Sequence, residues 1–126
     1  MIYLNRVTLM GYAGDDAKTY IAANSGRKYV KISLATTKRR KDRETSEVRD
    51  TTQWHSVVAW GNLATTLERI QIRKGSPLYV EGELSYRTWK DSSGVQKSAV
   101  DIIAERVQTL ARPPQGHPAI QEDVPF

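Results

Sequence analysis

A mainly β barrel carrying one helix is the architecture this 126-residue chain predicts, and three observations predict it. Five runs alternate apolar and polar residues with the period of two that a strand in a barrel wall requires. One further run repeats its apolar residues with helical spacing. Their order is three strands, a helix and two strands. That is the order of the OB-fold, a five-stranded Greek-key barrel with one helix between strands 3 and 4, and other small α+β barrels share it.

Each element has its own justification. Val7 and Leu9 flank Thr8 in the first run. Tyr29-Val30-Lys31-Ile32-Ser33-Leu34 alternates and contains the β-branched residues that suit a pleated, half-buried surface. The third run, Thr51 to Trp60, is dense in Thr, Val and Trp. In the helical run Leu63, Leu67 and Ile70 fall at i, i+4 and i+7, one face of a 3.6-residue period. Asn62 suits the N-cap, Arg73 and Lys74 the negative end of the helix dipole, and Gly75 the C′ position. Pro77 prevents continuation. Leu78, Val80 and Leu84 form the fourth strand, in which Gly82 marks a bulge or bend. Val100, Ile102, Ile103 and Val107 form the fifth. Asn24-Ser25-Gly26 and Asp91-Ser92-Ser93-Gly94 are the turn signals between them.

Composition bounds the function. The chain has no cysteine, which excludes a disulfide scaffold and a Cys-ligated zinc or iron–sulfur site and fits a reducing compartment. Its longest apolar stretches, such as Val57-Val58-Ala59-Trp60, fall far short of the roughly 18–20 residues a membrane span needs. The first residues lack the apolar core of a signal peptide, so a cytoplasmic protein without membrane attachment is expected. Four of the five prolines lie in the last 14 residues, where neither helix nor central strand can form. The boundary falls near Arg112, giving a body of 1–112 and a tail of 113–126. The body carries 19 basic and 12 acidic residues, a net +7, and the tail carries −2. A basic body of this size suits a polyanionic partner.

No catalytic constellation emerges. His55 and His117 are the only histidines, one in a strand and one in the tail. Lys74-Gly75-Ser76 follows a helix instead of opening one, so it is no phosphate cradle. Asp15-Asp16 reads as a charged turn after the first strand in preference to a metal site. No nucleophile–base pair, metal site or cofactor is implied.

The tryptophans carry more information. Trp54 and Trp60 lie six apart in one strand and so share a face with Ser56 and Val58. His55, Val57 and Ala59 take the other. With Val57 and Ala59 inside the barrel, both tryptophans point outward. Trp89 opens a long hairpin from Tyr86 to Lys97, surrounded by Arg87, Lys90 and Lys97. Rings interleaved with cations suit single-stranded nucleic acid, because bases stack on the rings and Lys and Arg neutralise phosphates. A core or subunit-interface role is the alternative. Lys38-Arg39-Arg40-Lys41-Asp42-Arg43, five cations in six residues, is placed in a loop between two strands. Beside a stacking face it forms an electrostatic funnel. The tail ends Glu122-Asp123-Val124-Pro125-Phe126, an acidic pair before an apolar tip. A partner can take this as a peptide ligand, with the ring in a pocket and the carboxylates against Arg or Lys.

These residues resemble the bacterial single-stranded DNA-binding protein family over nearly all of 4–126. The likeness rests on Asn5-Arg6-Val7-Thr8-Leu9-Met10-Gly11, Ser33-Leu34-Ala35-Thr36, Thr52-Gln53-Trp54-His55-Ser56-Val57-Val58-Ala59-Trp60-Gly61, Arg73-Lys74-Gly75-Ser76, Tyr79-Val80-Glu81-Gly82-Glu83-Leu84, Trp89 and the terminal Asp-Val-Pro-Phe. The resemblance implies an OB-fold homotetramer that wraps single-stranded DNA without sequence preference in replication, recombination and repair. It implies recruitment of replication and repair enzymes through residues 122–126. It matches Trp54, Trp60 and Trp89 to base-stacking positions and His55 to a subunit interface. Three departures stand out. Arg40 occupies a position that often holds a fourth stacking Trp, and stacks through its guanidinium plane. The helix region is one residue longer. The linker before the acidic tip is short, so the tail reaches about 43 Å at most. An OB-fold adaptor of primosome assembly with weaker DNA binding is the alternative, and an RNA-binding OB module is a third reading.

Overall fold

The computed structural model describes residues 1–110; the predicted tail of 113–126 lies outside them. The elements run β1 (Val7–Ala13), β2 (Lys18–Ile21), β3 (Lys28–Lys41), β4 (Val48–Trp60), α1 (Gly61–Ile70), β5 (Pro77–Lys90) and β6 (Gln96–Thr109). The sheet order is β1-β5-β6-β4-β3-β2, and a further β1–β3 pairing closes it. Strands β1, β3, β4, β5 and β6 therefore make a five-stranded barrel, with the helix between the third and fourth of them. That is the predicted OB-fold. Among the described residues the one parallel contact is β4 against β6.

The sequence reading did not anticipate β2. Its four residues pair along one edge only, with β3, and extend the sheet beyond the barrel. Such a short run carries no alternation long enough to register as a strand.

The interior follows the predicted alternation. Val30, Ile32 and Leu34 of β3, Val57 and Ala59 of β4, Leu78 and Val80 of β5 and Ile102 of β6 are all buried in one cluster. The predicted bulge is present: the β5–β6 register shifts between Glu81 and Gly82. A Cβ at Gly82 would collide with the carbonyl oxygen of Ile103, so only glycine lets the two strands approach there.

The helix differs from its sequence signals in detail. Gly61 takes φ +65° at the strand-to-helix junction, a conformation that costs a side chain. This starts the helix one residue before Asn62. The N-cap is Trp60, with no side-chain cap bond, so Asn62 is not the cap. Its carbonyl instead accepts a bond from the Thr66 hydroxyl. The C-terminal turn comes earlier than predicted. Gln71, at φ +61°, donates its N–H to the Leu67 carbonyl, and Gly75, Arg73 and Lys74 belong to the following turn. That left-handed step redirects the chain, so Ile72 is buried in place of Ile70, which is exposed. Ala64 and Leu67 form the buried face, with Leu63 partly buried beside them.

The basic run does not lie in a loop. Strand β3 continues through Lys41, and the β3–β4 ribbon projects as a fully paired arm to the register pair Lys41 and Val48. The Thr37 and Thr52 hydroxyls bond at 3.0 Å across it. The turn itself is 42–47, where the Asp42 carboxylate accepts the N–H groups of Glu44 and Thr45. The Thr37–Thr52 pair and the opposite charges of Arg39 and Asp50, facing each other across the arm, support the ribbon where charge alone suggests a loop. The β5–β6 hairpin is a second arm. Asp91 accepts the N–H groups of Ser93 and Val95 in its turn, and Gly94 sits at φ +80°. Among the described residues no helix is long and apolar enough to cross a membrane.

The burial pattern makes a direct prediction. Leu67→Ala should cost about 2–5 kcal/mol, whereas Ile70→Ala should stay within about 1 kcal/mol. Urea unfolding of the two variants checks this, and equal losses would contradict the placement of the helix.

Candidate nucleic-acid interface

Strand register assembles one continuous outer face. On β4, Trp54, Ser56, Val58 and Trp60 point away from the buried Val57 and Ala59. Opposite them on β3 stand Ala35, Ser33, Lys31 and Tyr29 in turn. On β2, Lys18 and Tyr20 face Lys31 and Tyr29. On β6, Asp101 and Ile103 lie beside Ser56 and Val58. On β5, Arg87 pairs with Ala99 and Trp89 with Lys97. All three tryptophans thus lie on this face, as the alternation predicts.

Two grooves cross it. One, of about 410 Å³, is bounded by Trp54, Tyr20, Lys18 and Ser56. The other, of about 550 Å³, is bounded by Trp60, Tyr29, Val58 and Ile103. Lys31, Arg87 and Asp101 line both and form the saddle between them.

The rings are held in different ways. Trp54 is 61% exposed, and its ring lies against Gly14, where a Cβ would strike it. Trp60 is half-buried. Its ring centroid is 4.7 Å from that of Tyr29, and the Arg27 guanidinium sits 5.0 Å from it. Tyr29 in turn stacks on Tyr20 at 5.2 Å and 21°. The Arg87 guanidinium lies 4.8 Å from the centre of the Trp89 ring, a cation–π contact.

Polar groups in the floor complete the picture. Arg87 Nε donates to Asp101 Oδ2 at 2.6 Å. The other carboxylate oxygen, Oδ1, and the Ser56 hydroxyl opposite it are buried without hydrogen-bond partners among the described residues. Asp15 and Asp16, at the rim, accept backbone N–H groups of Asp16 and Lys74. The groove carboxylates are therefore engaged within the chain. Lys18 and Lys31 enter no ion pair among the described residues. The balance of available charge in the grooves is positive.

The predicted cations divide between surfaces. Arg39 and Lys41 lie on the Trp54 face of the β3–β4 arm, Lys38 and Arg40 on the opposite face, and Arg43 in the turn. Arg39 bonds Asp50 at 3.0 Å. That contact holds the Asp50 carboxyl below the usual carboxylate range and raises Arg39. Lys97 stands across from Trp89, while Lys90 points to the other side of its ribbon. His55 is half-buried on the interior side and shares a 2.8 Å hydrogen bond with Thr36. The tip residues 122–126 lie outside the described residues.

Sequence reasoning missed Tyr20, Tyr29, Lys18, Lys31 and Arg27. The signal for Tyr29 and Lys31 was present, because Val30, Ile32 and Leu34 inside the barrel force their neighbours outward. Tyr20 and Lys18 depend on β2, which gave no signal.

A second surface lies along β1. Val7–Met10 pair on one edge only, with β5. The Asn5 side chain bonds both the N–H and the carbonyl of Leu84 at 2.9 Å and so anchors the segment before the strand. Ile2, Tyr3 and Leu4 beyond it are exposed.

Known proteins share this architecture. The single-strand binding protein family model matches residues 4–110. The single-stranded DNA-binding protein of Rickettsia typhi is 38% identical over 102 residues, which are 81% of this chain and 66% of that protein. The corresponding protein of Xanthomonas campestris pv. campestris is 41% identical over 107 residues, 85% of this chain and 60% of that protein. The chain thus spans slightly less than two thirds of the length of these relatives. Among solved structures, the Plasmodium falciparum SSB complex with ssDNA matches with a TM-score of 0.76 at 30% identity, covering 88% of this chain and 98% of that one. A deletion mutant of the single-stranded DNA binding protein from Thermus aquaticus matches with a TM-score of 0.71 at 27% identity, covering 90% and 52%. With the barrel, the helix position and the Trp54–Gly61 block all in agreement with a family match over residues 4–110, the chain belongs to the single-strand binding protein family.

Proposed function

We propose that this chain binds single-stranded DNA without sequence preference and is not an enzyme. The observation that carries the reading is the single outer face that holds all three tryptophans, on which Trp54 and Trp60 border two connected grooves with Lys18 and Lys31, lysines without an ion pair among the described residues. Trp54, Trp60 and Trp89 stack bases, each stack contributing roughly 1–3 kcal/mol. Every base has a π-face, so stacking does not discriminate sequence. Lys38, Arg39, Lys41, Arg43, Arg87, Lys90 and Lys97 neutralise phosphates, and Arg40 stacks through its guanidinium plane. Cations on both faces of the β3–β4 arm suit a strand that winds around it, because a polyanion lying flat would meet only one face.

The wider roles extend this reading. Residues 1–112 act as the DNA-binding unit, and 113–126 as a tail whose tip, Glu122 to Phe126, recruits replication and repair enzymes. The protein works in the cytoplasm, in replication, recombination and repair. It assembles as a homotetramer, with His55 at a subunit interface. The open edge of β1 and the exposed Ile2, Tyr3 and Leu4 support assembly, since an unpaired edge beside apolar side chains is a template for a second chain.

Tryptophan fluorescence during titration with oligo-dT and with duplex DNA tests the core of the reading. Strong quenching by oligo-dT alone is expected. Affinity should fall steeply with salt, by a log–log slope of about −0.7 per phosphate neutralised. No quenching at low salt would show that the tryptophans serve the core or an interface. Sedimentation equilibrium should give four chains per particle; a dimer with weak DNA binding would support the primosome adaptor instead. Deleting 121–126 should tighten DNA binding, because the acidic tip competes for the basic grooves. Unchanged affinity would refute that competition.

A further inference from the structure

We infer that Tyr20 is a base-stacking residue in its own right, a fourth aromatic platform that the tryptophan pattern does not reveal. The inference rests on the single-stranded DNA reading above and names a residue and an arrangement beyond it.

Four observations converge on Tyr20. First, it borders the same groove of about 410 Å³ as Trp54, together with Lys18, Lys31 and Arg87. Second, one face of its ring is backed by Tyr29 at 5.2 Å, and Tyr29 is backed by Trp60 at 4.7 Å. The three rings form a ladder across β2, β3 and β4 that holds Tyr20 in place before any ligand arrives. Ordering a free side chain on binding costs conformational entropy, and the ladder has already ordered this one. Third, β2 is the outer strand of the sheet, with β3 its one neighbour. No strand covers the other side of the ring, and Tyr20 is 39% exposed. Fourth, Lys18 shares the Tyr20 face two residues away and stands opposite Lys31 in register, so phosphate partners flank the ring.

The ladder also gives Tyr29 and Trp60 a second task. Tyr29 has a ring on either side, at Tyr20 and at Trp60, and supports them as a positioning residue. The nucleobase meets Tyr20, and the phosphates on either side of it meet Lys18 and Lys31. The alternative, that Tyr20 only buttresses β2, requires no base and would act through stability.

The test uses the full chain with Tyr20→Leu, which keeps apolar bulk against Tyr29 but lacks an aromatic face, and Tyr20→Phe, which keeps the ring. Each is titrated with oligo-dT and with an abasic phosphodiester oligomer of equal length at several salt concentrations. Tyr20→Leu should weaken oligo-dT binding by about 5- to 100-fold, leave abasic binding unchanged and leave the salt slope unchanged. Tyr20→Phe should bind as the unmodified chain does. Equal affinity of Tyr20→Leu and the unmodified chain for oligo-dT would overturn the inference, and so would an equal loss on both oligomers. Failure of the unmodified chain to bind oligo-dT would instead overturn the functional reading, and this inference with it. Thermal unfolding of Tyr20→Leu separates a loss of fold from a loss of stacking. If that variant unfolds, Tyr20→Met, which keeps apolar bulk against Tyr29 and leaves the Tyr29–Trp60 contact in place, should weaken oligo-dT and spare the abasic oligomer in the same way; equal losses would again overturn the inference.

Discussion

Alternation along β4 is the constraint on which the rest depends. Val57 and Ala59 are completely buried, and burying a side chain such as valine contributes roughly 1.5–3 kcal/mol. A one-residue slip would send them into water and turn Trp54 and Trp60 inward. The barrel therefore fixes the sidedness of the tryptophan face through residues buried in its interior. The same argument passes through register to β3, β6 and β2. Lys31 is outside because Val30 and Ile32 are inside, and Tyr20 is outside because it pairs with Tyr29.

Electrostatics on this face is arranged by satisfying the acids locally. Asp101 receives Arg87, Asp16 receives a backbone N–H, and Asp50 receives Arg39. The carboxylates do not cancel the lysines between them. Asp101 also fixes Arg87 against Trp89, so an acidic residue in a basic groove serves to aim a cation. Ser56 and Asp101 leave a hydroxyl and a carboxylate oxygen without partners among the described residues in the groove floor. Buried polar atoms of that kind are costly unless something bonds them.

Much of this was legible in the sequence. The five barrel strands, the helix and its place, the bulge at Gly82, the two turns and the outward tryptophans all follow from period, β-branching and turn chemistry. What escaped has physical reasons. A four-residue strand such as β2 is too short for alternation to stand out. The helix end was misplaced because Gln71 adopts the left-handed conformation usually left to glycine, and Gly75 drew the boundary past it. Charge dominates the composition of the basic run and reads as a loop, yet the Thr37–Thr52 bond and the Arg39–Asp50 contact keep it in a ribbon. The ring ladder needs three strands in register, and no single segment announces it.

The projecting β3–β4 arm carries a last consequence. Beyond Thr37 and Gln53 its residues are all exposed and contribute nothing to the buried cluster. The barrel's cohesion and the arm's charge are therefore vested in separate sets of residues. Apart from Arg39, which holds Asp50, cations can be gained, lost or moved along the ribbon with little penalty in folding, because their side chains have no core to disturb. The arm's charge is thus a property that selection can tune independently of the scaffold, by editing a surface the core does not feel.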